Sequence, residues 1–159
     1  MSVFNRRFID AKTKEASPAH IMSVGPRIQI EISVPASLVA QLVAQGKGIP
    51  PPITGYGLID TGASILCVDE GILQKLNLTP FSTANLSTPN GDKPMGIYPV
   101  SISFPGTGFE TIKLARCVGA DLTTQTKPPL NTIALIGRDI LSKGVFIYDG
   151  KHATFTLAD

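Results

Sequence analysis

Charge is scarce in this chain, and so are thiols. Charged side chains make up 16 % of the 159 residues, and 14 basic against 12 acidic groups leave a net charge of +2. Without a cluster, that surplus does not build the positive face a polyanion needs. The only basic pair is Arg6-Arg7, which reads as a solvated end, so nucleic acid is not the expected partner. Cys67 and Cys117 are the only cysteines, without CxxC spacing or a histidine nearby in sequence. Neither a zinc site nor a disulfide framework is suggested, and no metal or cofactor is expected. The first thirty residues lack an apolar signal region and no run approaches 18 apolar residues, which argues against export and membrane spanning and makes the cytoplasm the default expectation.

What is present is apolar and frequently interrupted. Hydrophobic residues reach 43 % and the mean hydropathy is +0.19, enough to build a core and too much for wholesale disorder. Fifteen glycines and thirteen prolines break helices repeatedly and favour short strands joined by turns. The length suits one domain. Residues 1–25 read as a mobile leader and 26–159 as the domain, because sustained periodicity begins only near Pro26.

From Arg27 to Val34, Ile28, Ile30, Ile32 and Val34 alternate with polar residues, the period of a half-buried strand. Leu38, Val39, Leu42 and Val43 then recur at helical spacing until Gly46, and the glycine and proline run through Pro52 reads as a loop. Tyr56–Ile59 is a short apolar strand, and Asp69 is a candidate N-cap for a helix carrying Ile72, Leu73 and Leu76. Asn90-Gly91 marks a hairpin before a strand carrying Val100, Ile102 and Phe104. Strands are also expected around Ile112 and Leu114 and over Ile133–Ile136, followed by one or two helical turns from Arg138. Val145–Tyr148 and Ala153–Leu157 flank a second hairpin signal, Asp149-Gly150. The expectation is an all-β domain of six to eight strands with two or three short helices.

Asp60 stands out because an acid directly after Leu58-Ile59 and before Thr61-Gly62 sits where an apolar strand turns sharply. Taken alone, it reads as an Asx turn, in which the carboxylate accepts from a backbone amide two residues on. Its surroundings add more. The string Leu58-Ile59-Asp60-Thr61-Gly62-Ala63-Ser64 resembles the active-site loop of aspartic proteases. Further on, Ala134-Leu135-Ile136-Gly137-Arg138-Asp139-Ile140-Leu141 resembles the second signature of the retropepsin-like, retroviral-type branch.

The resemblance spans about Arg27 to Leu157 and implies a closed acid-protease β-barrel that is active as a homodimer. Each subunit would supply one loop with Asp60 as catalytic acid. Thr61 would hold the paired loops, Gly62, Ala63 and Ser64 would support them, and peptide or protein would be the substrate. Asn90, Gly91 and Asp92 match the flap by position, and Gly137, Arg138 and Asp139 form the structural signature. In viral relatives the matching arginine pairs with an aspartate two residues after the loop glycine; here that position is Ser64, so Arg138 needs another partner, either backbone carbonyls or an acid across the dimer. The alternative is a catalytically weak module of the same fold that dimerises or captures peptide.

Physical chemistry asks for the second subunit too. One positioned acid or base contributes about 10²- to 10⁴-fold, while enzymes reach about 10⁶-fold or more. No second Asp-Thr-Gly exists in the chain, since Asp121 precedes Leu122 and Asp149 precedes Gly150. Ser64 has no base evident in sequence, and His20 and His152 lie in the leader and near a terminal turn, so a serine nucleophile is not supported.

Overall fold

The alternating isoleucines of the first strong strand set the centre of the molecule. The computed structural model describes residues 1–88, 91–126 and 130–159. In it Ile28, Ile30 and Ile32 are fully buried, as a period of two with one apolar face requires. Among the described residues there are ten strands and five helices. The strands are β1 (Val3–Arg7), β2 (Arg27–Ser33), β3 (Ile53–Ile59), β4 (Cys67–Asp69), β5 (Ser82–Thr88), β6 (Gly91–Ser103), β7 (Ile112–Ala120), β8 (Thr132–Ile136), β9 (Val145–Asp149) and β10 (Thr154–Ala158). The helices are α1 (Pro18–Val24), α2 (Ala36–Ala44), α3 (Glu70–Lys75), α4 (Thr123–Thr126) and α5 (Arg138–Leu141). Strand accounts for 43 % of the chain and helix for 19 %, so the molecule is mostly β.

Seven strands share one sheet in the order β2-β3-β8-β4-β7-β6-β5. An additional ladder joins β2 to β6, with Ile32 opposite Ile102, and closes six of the strands into a ring that leaves β5 outside. The apolar faces of these strands meet inside, where Leu66, Val68, Val100, Ile102, Cys117 and Ile136 are all inaccessible to solvent. A three-stranded sheet β1-β10-β9 joins the two ends of the chain. Phe4, Phe146 and Phe155 pack beneath it, with Phe4 and Phe155 ring centres 5.9 Å apart.

Residues 1–24, which carry no periodicity, thus contribute β1, paired to β10 from Val3 opposite Ala158 to Arg7 opposite Thr154. They also contribute α1, capped by the Ser17 side chain accepting from the His20 amide. Phe8 and Ile21 from this segment are buried in the core.

Helix α2 ends as its sequence predicts. Gly46 takes φ of +65°, the Lys47 amide donates to Leu42 O and the Gly46 amide to Val43 O, the paired bonds of a Schellman stop. Asp69 does precede α3, but its side chain makes no capping bond. The buried carboxylate accepts from the Leu122 amide instead, at 3.0 Å, tying α3 to the end of β7. The second hairpin signal also shifts in detail. β9 and β10 pair with Asp149 opposite Thr154, and Ala153, with φ of +52°, makes the positive turn.

The strand count exceeds the expected six to eight because β1, β4 and β5 lack a legible pattern. β4 has three residues and is held between β7 and β8. β5 reads Ser-Thr-Ala-Asn-Leu-Ser-Thr and is held by pairing to β6 alone. In both, pairing supplies what side-chain alternation does not. The helix count exceeds the expected two or three for a similar reason, since α1 and α4 are short and weakly patterned.

Candidate functional site

β3 and β8 run parallel and end level with each other, Ile59 beside Ile136. Gly55 and Gly57 on β3 leave room for the isoleucine side chains of β8. A Cβ at Gly55 would lie 2.7 Å from Ile133, and one at Gly57 would lie 2.6 Å from Ile136. The parallel pairing therefore delivers the turn after β3, Asp60–Ser64, next to the turn after β8, Gly137–Asp139. Two stretches about 75 residues apart in sequence become one corner.

Backbone bonds stitch this corner. The Asp60 amide donates to Ile136 O at 3.0 Å, the Arg138 amide to Ala63 O at 3.0 Å and the Asp139 amide to Ser64 O at 3.1 Å. Asp139 adds its carboxylate, with Oδ2 accepting from the Leu66 amide at 3.0 Å and Oδ1 from the Ile140 amide at 2.9 Å. Gly137 is required by contact, because a Cβ there would stand 2.7 Å from the Ile65 carbonyl carbon and oxygen. No real Cβ tolerates backbone at that distance.

The partner of Arg138 lies within its own chain. Nη1 donates to Thr61 O at 2.6 Å and to Gly62 O at 3.2 Å, and Nη2 donates to Ser64 Oγ at 3.0 Å. The planar fork suits several oxygens at once. Ser64 therefore supplies a neutral acceptor, and two backbone carbonyls of the acid's loop supply the rest.

Asp60 is half-buried at the mouth of this corner, with Thr61, Gly62 and Ser64 exposed beside it. Its Oδ1 accepts from the Gly62 amide at 2.8 Å, the Asx bond that the sequence allows. A Cβ at Gly62 would meet Asp60 Oδ1 at 3.1 Å, so within the chain the pressure against a side chain comes from the acid itself.

Burial keeps the flanking thiols protonated at neutral pH. Burial, with Asp60 and Asp139 adding to it, pushes Cys67 up to about 11. Burial, with Cys67 and Asp139 adding, pushes Cys117 up to about 12. Both cysteines are free. A nucleophilic cysteine needs the opposite shift.

Of the expected flap, Asn90 lies outside the described residues. Gly91 has φ of +96° and open space around its Cβ position, and it stands opposite Thr88 at the end of the β5–β6 hairpin. Asp92 is exposed next to it. Among the described residues no group of three or more His, Cys, Asp or Glu side chains could hold a metal ion, and no helix is long and apolar enough to cross a membrane.

Two cavities lie elsewhere. The larger, about 500 Å³, is bounded by Phe104, Phe109, Ile112, Ile140, Val145 and Leu157 among others, and Asp60 does not line it. The smaller, about 190 Å³, gathers Arg6, Phe8, His20, Val24, Arg27, Tyr56 and Leu130. The sequence pattern does not reveal it, because Arg27 occupies a polar position of an alternating strand and its cover comes from the residues read as a leader.

No family model and no curated protein sequence matches the chain. Solved structures do. The solution structure of simian foamy virus (mac) protease shares 17 % identity over 74 % of this chain and 92 % of its own, with a TM-score of 0.44. The crystal structure of a retropepsin-like aspartic protease from Rickettsia conorii shares 14 % identity over 99 % of this chain and 93 % of its own, with a TM-score of 0.49.

Proposed function

We propose that the chain is an aspartic endopeptidase whose active site forms when two copies bring their Asp60 loops together. The observation that carries this reading is the corner itself. One half-buried carboxylate is presented at the end of β3, on an exposed Asp60-Thr61-Gly62 loop that Arg138 and three backbone bonds hold in place.

In that assembly the two carboxylates stand too close to ionise together, so they share one proton and keep an acid and a base in one place. The ionised carboxylate takes a proton from a water molecule as that water attacks the scissile carbonyl carbon. The protonated carboxyl gives its proton to the carbonyl oxygen, and the tetrahedral intermediate forms without a bond to the protein. Collapse of the intermediate expels the amine, which takes a proton from the protonated carboxyl while the other carboxylate takes a hydroxyl proton from the intermediate, so the pair again holds one proton. The apparent pKa values belong to the pair as a unit. Gly62 holds Asp60 Oδ1 through its amide, which fixes the plane of the carboxylate, and Thr61 stands exposed where it can meet the other loop. The β5–β6 hairpin is the element that would fold over the peptide and exclude water.

Cleavage profiling of the wild type beside Asp60→Asn tests this reading, with sedimentation to give the assembly state. The expected outcome is a dimer that cuts a peptide library and an Asp60→Asn dimer that folds normally and cuts at least about 10³-fold more slowly. A monomer without activity from acid to neutral pH would favour the second reading, a weakly catalytic peptide-binding module. That reading draws on the Asx bond at Asp60, which a purely structural aspartate would also make.

A further inference from the structure

Arg27 is a charged group in an unusual position. It is 8 % exposed, its Nε has no hydrogen-bond partner, and its guanidinium makes no ion pair among the described residues. A buried cation ordinarily comes with a counter-charge, because leaving one uncompensated costs several kcal/mol. Burial, followed by the charge of Arg6, pulls its proton affinity below the usual guanidinium value, yet an arginine stays protonated.

The surroundings add positive charge. Arg6 Nη1 donates to Arg27 O at 2.9 Å, and its guanidinium lies 5.1 Å from the Phe8 ring centre and 5.5 Å from that of Tyr56. Arg6 also lacks a carboxylate partner among the described residues. His20 packs its ring edge-on to Phe8 at 5.4 Å and lines the same cavity. Asp10 has its Oδ1 engaged by the amides of Lys12 and Thr13.

We propose that the cavity between residues 6–24 and the β2–β3 edge is a binding site for a phosphate dianion, held by Arg27 and Arg6 with His20 at the rim. Two guanidiniums without counter-ions match two negative charges, and a fork with a free Nε–H matches a pair of phosphate oxygens. The volume of about 190 Å³ far exceeds the roughly 10–15 Å³ that one water requires. Occupancy would fasten the N-terminal segment to the body of the domain, since Arg6, Phe8 and His20 come from the first and Arg27 and Tyr56 from the second. The proposal stands independently of Asp60.

The test titrates the full chain with inorganic phosphate, glycerol phosphate and acetate at constant ionic strength, read by calorimetry and by thermal melting. Expected are saturable binding of one phosphate per chain, a rise in Tm with concentration, and affinity at least about tenfold above that for acetate. Arg27→Met and Arg6→Gln should each weaken phosphate binding by about tenfold or more, the size of one charge-assisted hydrogen bond. Should Arg27→Met fail to fold, Arg6→Gln carries the comparison alone. Saturation by either phosphate compound supports the site, and the tighter of the two names its source. Failure of both to saturate, equal binding of acetate, or unchanged affinity in a folded variant overturns it.

Discussion

Arg138 and Arg27 both lack a carboxylate partner among the described residues, and they stand in opposite circumstances. Arg138 is exposed and makes three hydrogen bonds to the loop that carries Asp60. Arg27 is buried and its Nε has no hydrogen-bond partner among the described residues. The first closes a corner whose polar groups are matched from within the chain. The second leaves a charge that no described residue answers. An unanswered buried donor points outward to a ligand, and an answered exposed one points to positioning.

The comparison breaks most readily at Gly137. Gly137→Ala forces a methyl group against the Ile65 backbone, with an expected loss of about 3 kcal/mol because backbone cannot rotate aside. Denaturant unfolding measures it, and wild-type stability would show that the two turns separate easily.

The thiols sharpen the contrast by pH. Their folded values, about 11 for Cys67 and about 12 for Cys117, exceed the ordinary thiol value, so the folded state favours the protonated form. Their contribution to stability is therefore complete below about pH 9 and is lost as pH rises through the folded values. Alkylation of the native protein at pH 8 should run about a hundredfold slower than in denaturant. Equal rates would show that the corner is open to solvent.

Arg138→Gln should cost about 1–2 kcal/mol, discounted for exposure, and should lower any cleavage more than it lowers stability, since small displacements of a positioned group are expensive in rate. Arg138→Lys keeps the charge and loses the fork, so it should rescue little. Arg27→Met, by contrast, should leave stability within about 1 kcal/mol of wild type in phosphate-free buffer or raise it, because it removes an uncompensated buried charge. A loss of several kcal/mol there would assign Arg27 a partner inside the fold.

Much of the corner was legible in the residues. Asp60-Thr61-Gly62 after an apolar strand and Gly137-Arg138-Asp139 after another are local patterns, and the alternation of Ile28, Ile30 and Ile32 placed β2 and its buried face. Schellman geometry at Gly46 is local as well. The sequence does not name the partner of Arg138; the structure gives it the Thr61 and Gly62 carbonyls and Ser64 Oγ, because those atoms depend on how β3 and β8 end beside each other. β4 and β5 were not legible, since their partners rather than their side chains hold them.

Local order in the sequence was enough to say that strands turn at Asp60 and Gly137, because turn chemistry and a period of two act over a few residues. It could not say that residues 3–8 would pair with the other end of the chain and cover Arg27. That outcome rests on contacts between segments more than a hundred residues apart, and burial of a charge is a property of the assembled surface. Solvent exclusion at a given residue is decided by whatever folds over it.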